Sequence, residues 1–326
     1  MTKKMRTGLA FAILSTSVFT TAPTLARAAD QVVVGAYIND IPNVDVKTHT
    51  FALDLYVWFR WKKKHLNPAK SIEFLNPYEL WAMTRTQDYE EPILLPTGEY
   101  YQVVRFQGRF SQKMHLRNYP FDRQTLSVAF EDTAGESAQL AYRADEKPIS
   151  MNPQVELPGY KLGEPKLTVS TASYPTDFGD PRSRSDNAFS RLKIEIPIHH
   201  PTFTYLIKLL LPVLCVIFCA ALMFLLNPTY VDSRVGIGIT SLLTVVALQI
   251  TLNEDLPEID YLVLMDKIYL GAYIFIIASL AIVVKTTWTL EKGKVQRAIQ
   301  LDRLGLITLT SGFFVFLAVI LISAAV

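Results

Sequence analysis

The spacing of apolar positions changes near residue 200, and that change divides the chain. Between residues 31 and 197 apolar and polar positions alternate in short runs: Phe51-Ala-Leu-Asp-Leu-Tyr-Val-Trp-Phe, Tyr100-Tyr-Gln-Val-Val-Arg-Phe, Thr125-Leu-Ser-Val-Ala-Phe and Arg191-Leu-Lys-Ile-Glu-Ile. Pro, Gly and Asn separate the runs. A period of two puts alternate side chains on opposite faces of a strand, so the pattern predicts an antiparallel β-sandwich with a core of its own. Helical signal is sparse here, with one turn or two expected over 76–83. After Pro201 four continuous apolar spans follow, about 203–226, 235–252, 261–288 and 304–326. At ~1.5 Å rise per residue the shortest still reaches ~27 Å, close to the hydrocarbon thickness of a bilayer. The expected plan is therefore a sandwich over 29–200 followed by a four-helix transmembrane bundle over 201–326.

The second span carries a stripe that suits lipid poorly. Steps of three or four residues select Asp232, Gly236, Thr240, Leu243, Ala247, Ile250 or Thr251, and Glu254, which share one helical face. That face is charged at both ends, small or hydroxylated in its first half and apolar in the middle. Bare polar groups in hydrocarbon are costly, so the stripe must meet protein or water. Packing between helices would explain Gly and Thr, which ease close approach. Carboxylates at both ends of the same face favour a pore lining instead. A single helix encloses nothing, so several copies about an axis are required.

Charge along the chain supplies an orientation. Lys3, Lys4 and Arg6 precede an apolar run over 9–19, and Ala26-Arg27-Ala28 offers a cleavage site, so 1–28 read as a secretory signal. With that export, the loop 253–260 faces outside and holds Glu254, Asp255, Glu258 and Asp260 without a base. The loop 285–303 faces inside and holds Lys285, Lys292, Lys294, Arg297 and Arg303. The distribution obeys the positive-inside rule and closes with the C-terminus outside. The expected location is the cell inner (plasma) membrane, multi-pass, with the N-terminal part and the C-terminus periplasmic or extracellular. Net charge is +2, so no nucleic-acid partner is implied. Cys215 and Cys219, the only two cysteines, lie one helical turn apart in an apolar run, and buried free thiols are expected rather than a disulfide. The five histidines form no metal-binding spacing, and no nucleophile elbow, phosphate loop or dinucleotide fingerprint occurs. Neither an enzyme nor a cofactor is expected.

A family likeness rests on particular residues. Tyr119-Pro120-Phe121-Asp122-Arg123-Gln124 resembles the aromatic-Pro-Phe-Asp-x-Gln core of the Cys-loop region of pentameric ligand-gated ion channels. Gln112 and Leu126 stand where animal receptors carry the two loop cysteines, a departure typical of the prokaryotic branch. Arg234-Val-Gly-Ile-Gly-Ile-Thr240 resembles the pore helix of glycine- and GABA-type receptors, and Leu243 falls at the mid-pore leucine ring. Leu256-Pro257 and Tyr261-Leu-Val-Leu-Met-Asp266 match the link into the third span, Pro212 the proline of the first, and Trp61 a tryptophan of the second strand. The likeness covers the whole mature chain. Two elements depart from it: Trp81-Ala-Met-Thr lacks the usual proline and acid, and His200 replaces the arginine that precedes the first span.

The likeness implies a homopentamer gated by a small-molecule agonist or by protons. Its agonist site would take Asp88, Tyr89, Glu131, Asp132, Thr133, Tyr174, Phe178 and Phe189 from one subunit. The neighbour would add Tyr56, with Tyr101, Arg105 or both. Aromatics with carboxylates suit a cationic amine. Each of these aromatics also fits an ordinary place in a β core. Coupling to the pore would run through Lys47 in the 44–48 loop, through Tyr119, Pro120, Phe121, Asp122 and His200, and through Leu256 and Pro257. A His200–Asp122 pair in place of Arg–Asp would respond to pH.

Selectivity follows from which charge faces the axis. Asp232 and Arg234 are two residues apart, ~200° around the helix, so only one can point inward. The stripe selects Asp232, leaving Arg234 for a neighbouring subunit or the aqueous mouth. Each carboxylate within ~4 Å attracts a monovalent cation by ~1 kcal/mol even at the dielectric of water, and repels an anion equally. Monovalent cations are thus the expected permeant ions, with Leu243 and Ile250 as the hydrophobic constriction. Membrane lipid surrounds the bundle. The alternatives are an anion-selective channel of the same family and a non-conducting membrane-tethered sensor.

Overall fold

A computed structural model describes residues 29–133, 140–176, 179 and 187–325. The expected signal segment lies outside the described residues. The first part is all β apart from short turns. In chain order its strands are β1 (Asp30–Asp40), β2 (Val44–Asp45), β3 (Thr50–Trp61), β4 (Ile72–Phe74), β5 (Thr84–Gln87), β6 (Ile93–Leu94), β7 (Tyr100–Ser111), β8 (Arg123–Asp132), β9 (Leu140–Met151), β10 (Lys161–Leu162), β11 (Lys166–Tyr174) and β12 (Asn187–His199). They form two sheets. One has the order β5-β7-β3-β1-β9, with β2 on β3 and β6 on β7; the other has β10-β12-β8-β4, with β11 on β12.

The alternation read from sequence explains what lies between the sheets. Leu53, Leu55, Val57, Phe59 and Trp61 of β3 are buried, as are Leu126, Val128 and Phe130 of β8 and Leu192, Ile194, Ile196 and Ile198 of β12. Every second residue is apolar, so one face of each strand enters the core. Phe74 closes it edge-on to Phe106, Phe110 and Phe130, with ring centroids 4.8–5.5 Å apart.

Two details differ from expectation. Strand β9 runs parallel to β1, whereas all other strand pairings among the described residues are antiparallel. A parallel neighbour needs a long crossover rather than a hairpin, and period-two patterning cannot reveal it. The one turn or two expected over 76–83 is a single 3-10 turn, Leu80–Ala82; the element not expected is a four-residue helix α1 (Pro68–Ser71), which starts at a proline, whose fixed φ suits a first helical turn.

Four long helices follow: α2 (Thr202–Ala221), α3 (Val231–Glu254), α4 (Leu264–Glu291) and α5 (Val295–Ala325). All four are long and apolar enough to cross a membrane. A 3-10 turn, Leu222–Phe224, ends α2. The expected inside loop 285–303 contracts to Lys292–Lys294, turned at Gly293 with φ 74°. Hydropathy misses the first turns of α5 because Arg297, Asp302 and Arg303 lie there, yet the helix continues through them. Cys215 and Cys219 are free but exposed rather than buried, because the face of α2 that carries them is largely uncovered among the described residues.

Candidate functional site

Helix α3 packs on α4 and α2, and only Arg234, Gly238, Ser241, Val245 and Leu252 of it are buried. These recur every three to seven residues and mark its inner face. At Gly238 an added Cβ would lie 2.4 Å from Leu280 Cδ2, so the close approach to α4 depends on the missing side chain. The opposite side of α3 is uncovered. Asp232, Gly236, Thr240, Leu243, Ala247, Ile250 and Glu254 are all exposed, with Leu243 at 64% and Ile250 at 56%. Among the four helices α3 and α5 are the least covered, and α3 is the less apolar of the two. Its N-terminal flank is capped at Tyr230 without a side-chain bond, and Asp232 lies in the first turn without a capping role. Thr244 and Thr251 return their hydroxyls to the carbonyls of Thr240 and Ala247 at 2.8 and 3.1 Å, which shields part of the polarity of that face.

Arg234 is not at a subunit surface or an aqueous mouth. It is fully buried within its own helix bundle, where Nη2 donates to Asp302 Oδ1 at 2.5 Å, Nε to the Met223 carbonyl at 2.7 Å and Nη1 to Thr286 Oγ1 at 3.3 Å. The reason is physical: a charged side chain on the covered side of a membrane helix must find a partner there. The available signal is the acid at Asp302, but it is far away in sequence and lies within the 285–303 segment that charge and hydropathy predict as a loop.

The sandwich and the helices meet around the 112–124 segment. The Leu116 amide donates to Tyr261 Oη at 3.0 Å, the Leu264 amide donates to the Arg117 carbonyl at 3.0 Å, and the Arg117 guanidinium lies 5.5 Å from the Tyr261 ring. Arg117 and Tyr261 are contact residues that motif reading passed over, although Tyr261 lies inside a quoted motif. Leu256 is buried beside this junction and Pro257 half-buried, while Lys47 is exposed in the turn between β2 and β3. Pro120 is buried, and Tyr119 and Phe121 pack against the core.

His200 sits in an aromatic cage at the same junction. Its ring stacks on Tyr160 at 4.1 Å, tilts over Tyr205 at 4.2 Å and meets Tyr119 edge-on at 5.8 Å; Nδ1 faces the Gly159 carbonyl at 2.7 Å. Burial holds the imidazole below its usual pKa, opposed by the Gly159 carbonyl and by Asp122, while nearby His199 lowers it further. Asp122 accepts from Gln124 Nε2 at 2.5 Å, and its other oxygen is buried without a hydrogen-bond partner. Burial raises its pKa, partly offset by the Gln124 bond and by His200. The expected His200–Asp122 contact is not direct: each bonds elsewhere, and both line a cavity of ≈ 820 Å³ together with Phe121, Arg123, His199 and Leu206.

The residues expected at an agonist site fall into two groups. Glu131, Tyr174 and Phe189 converge: Tyr174 Oη donates to Glu131 at 3.1 Å, and the Tyr174 and Phe189 rings are 6.0 Å apart. Arg191, unforeseen, completes this cluster. It faces Glu131 across β8 and β12, its Nε donating to the carboxylate at 2.6 Å, and its guanidinium lies 5.9 Å from the Tyr174 ring. The chain thus places its own cation where an amine was expected. Asp132, next along β8, points inward, buried and bonded by Ser71 Oγ at 2.7 Å; Thr133 Oγ1 donates to the Ser71 carbonyl at 2.9 Å. The other group lies on β3 and β7. Arg105 donates twice to Asp54, at 2.9 and 2.6 Å, with its guanidinium 5.3 Å from the Tyr56 ring. Tyr89 packs on Tyr101 of the same chain at 6.2 Å rather than joining Glu131, and Asp88 beside it is exposed. Phe178 lies outside the described residues.

No family model matches the chain. It is similar to a proton-gated ion channel of Gloeobacter violaceus, 23% identical over 269 residues, which cover 78% of this chain and 71% of the relative. The family likeness holds. The match spans most of both proteins, so the likeness to the ligand-gated channels extends over strands and membrane helices together.

Proposed function

We propose that the chain is one subunit of a homopentameric, cation-selective channel whose pore is lined by α3. One observation carries this reading. The seven stripe residues from Asp232 to Glu254 are all exposed in the isolated subunit, while the other side of the same helix packs on α2 and α4. Around a fivefold axis that stripe would meet water and ions, and the flanks of α3 would meet neighbouring subunits. Five Asp232 carboxylates then favour cations, and Leu243 and Ile250 narrow the path enough to gate by dewetting. Residues 29–200 form the sensing half, 201–326 the pore half, and 1–28 the export signal. The sandwich and the C-terminus lie on the periplasmic or extracellular side of the inner membrane.

Protons are the favoured agonist. The relative is a proton-gated channel, and the buried His200 and the half-buried Asp122 are titratable groups at the place where strands and helices meet. A small molecule at Glu131, Tyr174, Phe189 and Arg191, closed by Tyr56 and Arg105 of a neighbour, is the second route. The guanidiniums are the more exposed members of those ion pairs, so an amine finds its place occupied. Purified protein in planar bilayers, with a pH series and ion substitution, tests the whole reading. Acid-activated currents whose reversal follows the cation gradient are expected; a reversal potential that follows chloride overturns cation selectivity, and silence at every pH and ligand overturns the channel.

A further inference from the structure

The buried arginine at the start of α3 has more partners than anchoring needs. Its three bonds reach three different elements: the turn after α2 through Met223, α4 through Thr286 and α5 through Asp302. A guanidinium is a planar fork with fixed donor directions, so three bonds to separate elements fix the azimuth of the helix that carries it. An apolar side chain of the same volume would fill the space and leave that angle free. A buried ion pair is often no more stabilising than apolar residues of similar size, which makes specification of one arrangement the better account of it. Asp302 underlines the point, since its second oxygen is buried without a hydrogen-bond partner.

We propose that Arg234 is a positioning residue for ion selectivity, holding α3 at the rotation that turns Asp232 toward the pore axis. The proposal rests on the reading of α3 as the pore helix. Asp232 lies ~200° around the helix from Arg234, so anchoring one to the bundle directs the other away from it. A turn of one residue, ~100°, would break all three bonds and carry the carboxylate off the axis.

The test uses full-length protein in proteoliposomes and planar bilayers, with Cys215→Ser and Cys219→Ser removing the exposed native thiols. Single substitutions Asp232→Cys, Ser233→Cys, Val235→Cys and Gly236→Cys are each probed with a water-soluble thiol reagent during gating. They are repeated in Arg234→Lys, which keeps charge but loses the fork, and in Arg234→Met with Asp302→Leu, which removes both charges together. Selectivity is measured with the native Asp232. With Arg234 in place, modification is fast at 232 and 236 and slow at 233 and 235. In both altered backgrounds the contrast is expected to flatten and the cation-to-anion permeability ratio to fall several-fold, less in Arg234→Lys. An unchanged pattern and ratio in either background that yields channels overturns the proposal. Absence of fast modification at 232 and 236 in the parent would instead defeat the assignment of α3 to the pore, so the two failures are distinguishable.

Discussion

Replacing Asp232 by Asn removes a charge while keeping nearly the same volume, at a position that caps no helix and is exposed in the subunit. For five carboxylates each ~8 Å from the axis, Coulomb attraction at the dielectric of water is ~0.5 kcal/mol per charge, and screening over a Debye length of ~8 Å leaves ~0.2. Five together give ~1 kcal/mol of attraction for a monovalent cation and as much repulsion for an anion. The difference of ~2 kcal/mol corresponds to a permeability ratio of ~30. Asp232→Asn should therefore bring the cation-to-anion ratio down by roughly ten- to thirtyfold, with Glu254 at the other end retaining part of the preference. The assay is the reversal potential under a salt gradient in planar bilayers, where loss of selectivity moves it toward zero by tens of millivolts. A conducting variant with unchanged reversal would refute the placement of Asp232 on the ion path.

Three further outcomes are expected. Leu243→Ser puts a hydroxyl on the exposed middle of the stripe and should favour the open state, read as leak current near neutral pH that the parent lacks. His200→Arg installs a permanent charge in the Tyr119–Tyr160–Tyr205 cage. Because burial lowers the imidazole pKa, the neutral form supports the packed junction above ~6.5, and that support is lost as pH falls through the lowered value. The acid-dependent limb of the current should flatten in the variant, and an unaltered pH profile would remove His200 from the sensor. Asp122 shifts the opposite way, so its contribution is lost as pH rises through its raised value. Gly35→Ala would put a Cβ 2.2 Å from the Trp58 ring, which is held by a 2.9 Å bond to Asp145; a loss of ~1–3 kcal/mol should lower the thermal midpoint of the purified protein.

The parts of the molecule that were legible in advance are those encoded by local period. Alternation marks β3, β8 and β12, and three- and four-residue steps pick out the exposed side of α3, because both depend only on residues near one another in sequence. The missed features depend on distant partners. Arg191 meets Glu131 only through the register of β12 against β8, and Arg234 meets Asp302 only once α3 and α5 pack. The inward turn of Asp132 needed the phase of β8 at its very end, where Glu131 and Asp132 are both buried. Whether Cys215 and Cys219 face neighbours is a question about packing, on which a uniformly apolar run is silent.

The acid that holds Arg234 belongs to α5, among the helices that the rest of the bundle covers least. In a bilayer that helix would present the broadest side to acyl chains, so its tilt would answer to the thickness of the surrounding hydrocarbon. Any such tilt would pull on the same guanidinium that is proposed to orient the pore mouth. The fat around the protein would thereby acquire leverage over the charge proposed to sort the ions.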